Sequence, residues 1–201
     1  MTAATLPRGR ADARRYSAVA MTLHWLIAAL ILGNIALAWY FNTQHGLARL
    51  GPIQIHKSIG ITVLTLSILR VIWRFASPPP PLPAFLRGWE RLAAQGVHVL
   101  FYVIMLGMPL TGWAMTSASR LIRIEPITWF GLFQWPTMTA LANLPPARMK
   151  QAHDFFESLH NNGAKLAYAL IAVHVLAALR HQFIRKDEIL WRMLPIIRRS
   201  A

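Results

Sequence analysis

The sequence contains no cysteine. That absence excludes disulfides, thiolate-held zinc, thiolate-held iron–sulfur clusters and haem attached through thioether bonds. Any metal must be held by nitrogen, oxygen or thioether sulfur. Acidic charge is nearly as scarce: 7 Asp and Glu stand against 21 Lys and Arg in 201 residues. Only 14% of the chain is charged and 55% is hydrophobic, where a soluble domain carries roughly a quarter charged residues. The chain is too apolar for water. Its net charge of +14 would suit nucleic acid if the basic residues formed a stripe. They punctuate apolar runs instead, as they do at a membrane surface, so lipid and not nucleic acid is the expected partner.

What the chain does have is long apolar runs. A membrane helix needs about 20 mostly apolar residues, and four stretches qualify, at about 21–41, 55–75, 93–116 and 158–183. A short link joins the first two. The prolines Pro78 to Pro81, followed by Pro83, end the second, because no helix continues through such a run. A longer segment, 117–157, precedes the fourth, and no internal repeat is visible. The expectation is one all-α membrane domain over residues 1–201, an integral four-helix bundle.

The basic residues set its orientation. Arg8, Arg10, Arg14 and Arg15 precede the first helix, and Arg70, Arg74, Arg87 and Arg91 flank the second link. Arg180, Arg185, Lys186, Arg192, Arg198 and Arg199 end or follow the fourth. Fourteen of the 21 therefore lie on one side, and the positive-inside rule places both termini in the cytoplasm. An arginine-rich start, an apolar run and Ala36-Leu37-Ala38 also mimic a cleavable signal. The length of the run, and the three crossings its removal would leave, favour a retained helix.

The histidines carry the functional argument. The chain has eight, and His24, His56, His98, His160 and His174 fall inside the four apolar stretches, with His181 at the inner end of the fourth. Ionisable groups at such depth are costly, face the bundle interior and mark function by default. A hydrogen bond between helices would account for any one of them, but poorly for the set. His160 and His174 are fourteen residues apart, about 40° short of four turns with a rise of roughly 21 Å. Both rings leave nearly the same face, one near each membrane surface. That spacing suits two stacked haems and not a single zinc or di-iron centre, whose ligands converge.

Each haem then needs a second ligand at matching depth. His56 is level with His160, and His24 is level with His174. Two histidines fill both axial positions, so the iron cycles between ferrous and ferric without taking oxygen, which is electron-transfer ligation. His98 also reaches the inner level and could replace either inner ligand; otherwise it would hydrogen-bond a propionate, quinone or water. Arg70 lies fourteen residues after His56, near the inner haem, and a propionate or the cytoplasmic surface would satisfy it. His181 follows His174 by seven residues at the inner interface, where it would either hydrogen-bond a quinone or stand solvated among snorkelling arginines. Gly60 and Gly163, one turn beyond His56 and His160, would leave space for a macrocycle or serve plain helix packing.

Together these features resemble the bacterial cytochrome b561 family of di-haem inner-membrane proteins. The resemblance runs from Leu23-His24-Trp25 through Ile55-His56-Lys57 and Gly96-Val97-His98 to Leu159-His160 and Ala172-Val173-His174. It continues in Arg180-His181-Gln182-Phe183, Lys186-Asp187 and Leu190-Trp191-Arg192-Met193-Leu194-Pro195. It implies two haem b groups, supports His24–His174 as the inner ligand pair, and brings a quinone partner such as ubiquinone. In some members it implies superoxide:ubiquinone oxidoreductase (superoxide oxidase) activity.

Two redox readings follow. In one, the protein stands alone and passes electrons from a periplasmic donor, such as superoxide, to membrane quinone. In the other, it is the haem-bearing membrane anchor of a larger dehydrogenase or hydrogenase and takes electrons from a partner subunit. A transporter or structural bundle with proton-relaying histidines is the control. On the outer side Arg49, Lys57, Arg120, Arg123, Arg148, Lys150 and Lys165 outnumber Glu125, Asp154 and Glu157; such a surface would draw in a small anion or simply face solvent and headgroups. The run from Trp129 to Pro136 is rich in aromatics and belongs at the outer interface, where it could also cap the outer haem edge.

Overall fold

The computed structural model describes residues 15–82, 87–187 and 189–194. Arg8, Arg10, Arg14, Arg198 and Arg199 of the orientation argument, Pro83 of the proline run and Pro195 of the tail lie outside them. Four long helices dominate: α1 (Ala18–Asn42), α2 (Leu50–Ala76), α3 (Gly88–Ser117) and α4 (Pro146–Leu179). All four are long and apolar enough to cross a membrane. Their outward faces carry large apolar side chains such as Leu32, Trp39, Leu69, Val103 and Leu176. Water penalises such a surface and a lipid chain does not.

Local chemistry sets the helix ends. Ser17 caps α1 by accepting the Ala20 N–H at 3.3 Å and also accepts the Trp73 indole N–H at 2.9 Å, tying α1 to α2. The proline run follows α2 directly. Glu90 accepts the Arg87 N–H at 3.0 Å at the start of α3. Pro146 opens α4, where a missing N–H costs nothing. α4 thus starts about three turns before the apolar run at 158. Its first turns carry Arg148, Lys150, Asp154 and Glu157, with an ion pair between Lys150 and Asp154. Hydropathy marks only the portion of a helix that needs lipid, so this polar extension is invisible to it.

Packing is uneven, and the unevenness matters. α1 packs along α2, α2 along α3, and α3 along α4. α4 makes no extended backbone contact with α1 or α2. It faces them across side chains, chiefly histidine rings. Between α3 and α4 the approach is close: a Cβ at Gly163 would come within 2.5 Å of Met108 Sδ, and one at Gly112 within 3.3 Å of His160 Cε1. Small residues permit that approach. The space expected for a macrocycle at Gly163 is therefore filled by Met108, whereas the space beside Gly60 is open.

Each end of the bundle is closed by irregular chain. At the loop end, a two-stranded ladder pairs β1 (Thr128–Trp129) with β2 (Phe133–Gln134). Its turn places Gly131 at φ +74°, a conformation glycine adopts without a Cβ clash. The hairpin is bound to α2 through Ser58, which is 1% exposed. The Ser58 hydroxyl shares its single proton between the carbonyls of Gln54 (2.8 Å) and Thr128 (2.9 Å) and accepts the Phe130 N–H at 3.0 Å. Ile61, Ile122 and Ile127 form a small core there with Trp113, Trp129 and Trp135. At the terminal end, α4 widens into a π-helical turn, Arg180–Arg185. The chain beyond it returns across α1: the Tyr16 N–H donates to the Arg192 carbonyl at 3.2 Å and the Trp25 indole to the Met193 carbonyl at 2.8 Å.

Candidate functional site

The histidines meet in the gap between α4 and the α1–α2 pair. His56 on α2 and His160 on α4 have ring centroids 6.2 Å apart. His24 on α1 and His174 on α4 also stand 6.2 Å apart. Two imidazoles sharing one metal ion would each need a ring nitrogen about 2.0 Å from it. His56 with His160, and His24 with His174, are the residues that would hold such an ion, one at each level. Among the described residues no three His, Asp or Glu side chains converge as a metal cage, so a macrocycle would have to supply the remaining ligands.

Hydrogen bonding orients both rings of the loop-end pair. His160 Nδ1 lies 3.1 Å from the Met108 carbonyl and 3.2 Å from the Thr111 hydroxyl. His56 Nδ1 lies 3.3 Å from the Asn34 carbonyl. A carbonyl only accepts, so Nδ1 carries the proton in both rings and Nε2 is left with its lone pair. Metal-binding histidines are oriented by this same second contact. The Phe41 ring meets the edge of His56 at 5.3 Å and the Phe101 ring meets His174 at 5.3 Å, walling both levels with apolar surface.

The terminal-end level holds three histidines. His98 on α3 stands 6.3 Å from His174, nearly the same separation as His24. His174 is the shared member, and spacing alone allows it either partner. The Trp25 ring lies 5.3 Å from His24, held by its bond to the Met193 carbonyl. Arg70 reaches this level as expected and donates from Nη1 to the Ala20 carbonyl at 2.8 Å; its other N–H groups remain available to an anion. Arg74 instead stacks on Tyr102, 5.7 Å from the ring centroid. His181 sits one level further out, with Nδ1 2.5 Å from Asp187 Oδ2.

Sequence reasoning missed the residues that orient the histidines: Asn34, Met108, Thr111 and Asp187. Three act through a carbonyl or hydroxyl on a neighbouring helix, and only the register between helices reveals them. Asp187 had a legible signal, as one of only seven acids in a basic chain.

Four apolar spans enclosing two levels of facing histidines define a multi-pass membrane cytochrome. The chain belongs to the prokaryotic cytochrome b561 family, whose model matches residues 15–195. It is 35% identical over 184 residues to cytochrome b561 homolog 2 of Escherichia coli K12, covering 90% of this chain and 91% of that one. Cytochrome b561 homolog 1 of the same organism is 30% identical over 191 residues, covering 90% and 97%. A protein of Yersinia pestis named probable superoxide oxidase CybB is 28% identical over 189 residues, again covering 90% and 97%. The chain is accordingly a haem b-binding electron-transfer protein of the bacterial inner membrane.

Proposed function

We propose that the protein holds two haem b groups, one between His56 and His160 and one between His24 and His174. They would carry electrons from a small periplasmic donor at the loop end to a membrane quinone at the terminal end. The carrying observation is the repeated 6.2 Å separation of facing histidine rings at two levels between α4 and the α1–α2 pair. A b-type haem with two histidine ligands exchanges one electron at a time and keeps oxygen off the iron. The side chains do the rest. The Asn34 and Met108 carbonyls orient His56 and His160, Arg70 is available to a propionate, and Phe41 and Phe101 keep water from the rings.

The concentration of arginine at the terminal end supports a cytoplasmic placement for it. Superoxide as the donor is supported by the name of the Yersinia relative and by the excess of cations at the loop end. Ubiquinone as the acceptor is what the family resemblance suggests, and His181 at the interface is compatible with it. A reduced-minus-oxidised spectrum with haem quantitation on purified protein tests the core of this reading. The expected result is two low-spin haems b per chain, and one or none would end it.

A further inference from the structure

The terminal-end turn carries a second piece of chemistry. Asp187 Oδ2 lies 2.5 Å from His181 Nδ1, with the two side chains 12% and 17% exposed. The carboxylate is itself fixed: Oδ1 accepts the Ile189 N–H at 3.2 Å, and the Asp187 N–H donates to the His181 carbonyl at 3.2 Å. The backbone bends to make this pair. Helical bonding widens into the π turn over Arg180–Arg185, and Lys186 then takes a left-handed φ of +51°. For a non-glycine residue that conformation is strained, and π turns recur at functional sites.

A capping role does not explain the arrangement. A carboxylate at a helix C-terminus opposes the helix dipole, where Lys or Arg would serve. Arg180, Arg185 and Lys186 are all at hand, and Arg185 turns to Glu90 of α3, donating from both terminal nitrogens. Asp187 is left to the histidine. An acceptor on Nδ1 directs Nε2 outward as the working atom and offsets the charge when the ring is protonated.

We propose that Asp187 is the positioning residue of a histidine–carboxylate dyad through which His181 delivers a proton to the quinone. This rests on the reading that a quinone docks at the terminal end. Reducing a quinone to the quinol takes two electrons, which reach it through the protein's haem groups, and two protons. One proton leaves His181: the Nε2–H bond breaks, an O–H bond forms at the quinone oxygen, and the ring is left neutral with Nδ1–H still held by Asp187. The other comes from water at the bundle end, which also reprotonates the ring.

The test uses the full-length haem-loaded protein in lipid nanodiscs, with a short-chain ubiquinone as probe. Quinone affinity is read by tryptophan fluorescence, and reoxidation of the reduced protein by stopped flow in H2O and D2O. Asp187→Asn is expected to keep the spectrum and quinone affinity, reoxidise about tenfold more slowly and show a larger solvent isotope effect. Asp187→Glu should recover most of the rate. A parent-like rate and isotope effect in Asp187→Asn, with His181→Phe slow, would overturn the dyad and leave the quinone reading standing. Loss of affinity or of the haem spectrum in Asp187→Asn would overturn it as well, showing a structural part only. A parent-like rate in His181→Phe would remove quinone reduction from this end and take the dyad with it.

Discussion

His56 and His160 face each other with ring centroids 6.2 Å apart, across a gap that α2 and α4 do not close by packing. Each ring is held from behind by a carbonyl, of Asn34 and Met108 respectively. Removing either ring should therefore empty one level and spare the other. His56→Ala and His160→Ala are each expected to retain one haem of two, measured as haem per protein with a low-spin spectrum. Two low-spin haems in either variant would show that the pairing is wrong.

The terminal-end level poses a sharper choice, because His174 is 6.2 Å from His24 and 6.3 Å from His98. His174→Ala should abolish haem binding at that level. His24→Ala should do the same, whereas His98→Ala should perturb the spectrum and retain the haem. Loss of one haem in His98→Ala, with His24→Ala keeping both, would move the ligand role to His98.

Thr111 gives a test that leaves every ligand in place. Its hydroxyl donates to the Met108 carbonyl at 2.9 Å and so accepts from His160 Nδ1. Thr111→Val removes one of two acceptors and makes the imidazole a weaker donor to iron. Haem retention at the loop-end level should fall by about tenfold, and the potential there should rise. A redox titration showing no change at that level would confine Thr111 to helix packing.

Arg70 is expected to act through its charge. With one N–H on the Ala20 carbonyl, the guanidinium still stabilises an added electron nearby. Arg70→Leu should lower the potential of the terminal-end haem by roughly 40–60 mV, the equivalent of about 1–1.4 kcal/mol for one electron. An unchanged potential would mean that the side chain only braces α2 against α1.

Ser58 should matter for stability. Its hydroxyl makes three hydrogen bonds and is buried under the Thr128–Gln134 hairpin. Ser58→Ala leaves the Phe130 N–H without that acceptor, at a cost of about 1–3 kcal/mol. The expected outcome is a lower melting temperature in detergent with haem content unchanged at low temperature.

Much of this protein is legible in the sequence, because the bilayer allows few solutions. About 20 apolar residues must form a helix when no water can satisfy the backbone, so the four spans and the break at Pro78 could be read directly. Fourteen residues between His160 and His174 place both on one face by helix geometry alone. Three-dimensional packing settled what no local pattern encodes. α4 extends to Pro146 because a polar helix above the apolar zone leaves no hydropathy signal. The space at Gly163 belongs to Met108, and the carbonyls of Asn34 and Met108 meet His56 and His160, through the register of one helix against another. Asp187 meets His181 only because a π turn and a left-handed lysine fold the chain back. Periodicity sets which way a side chain leaves its own helix; what it meets there depends on how the helices dock.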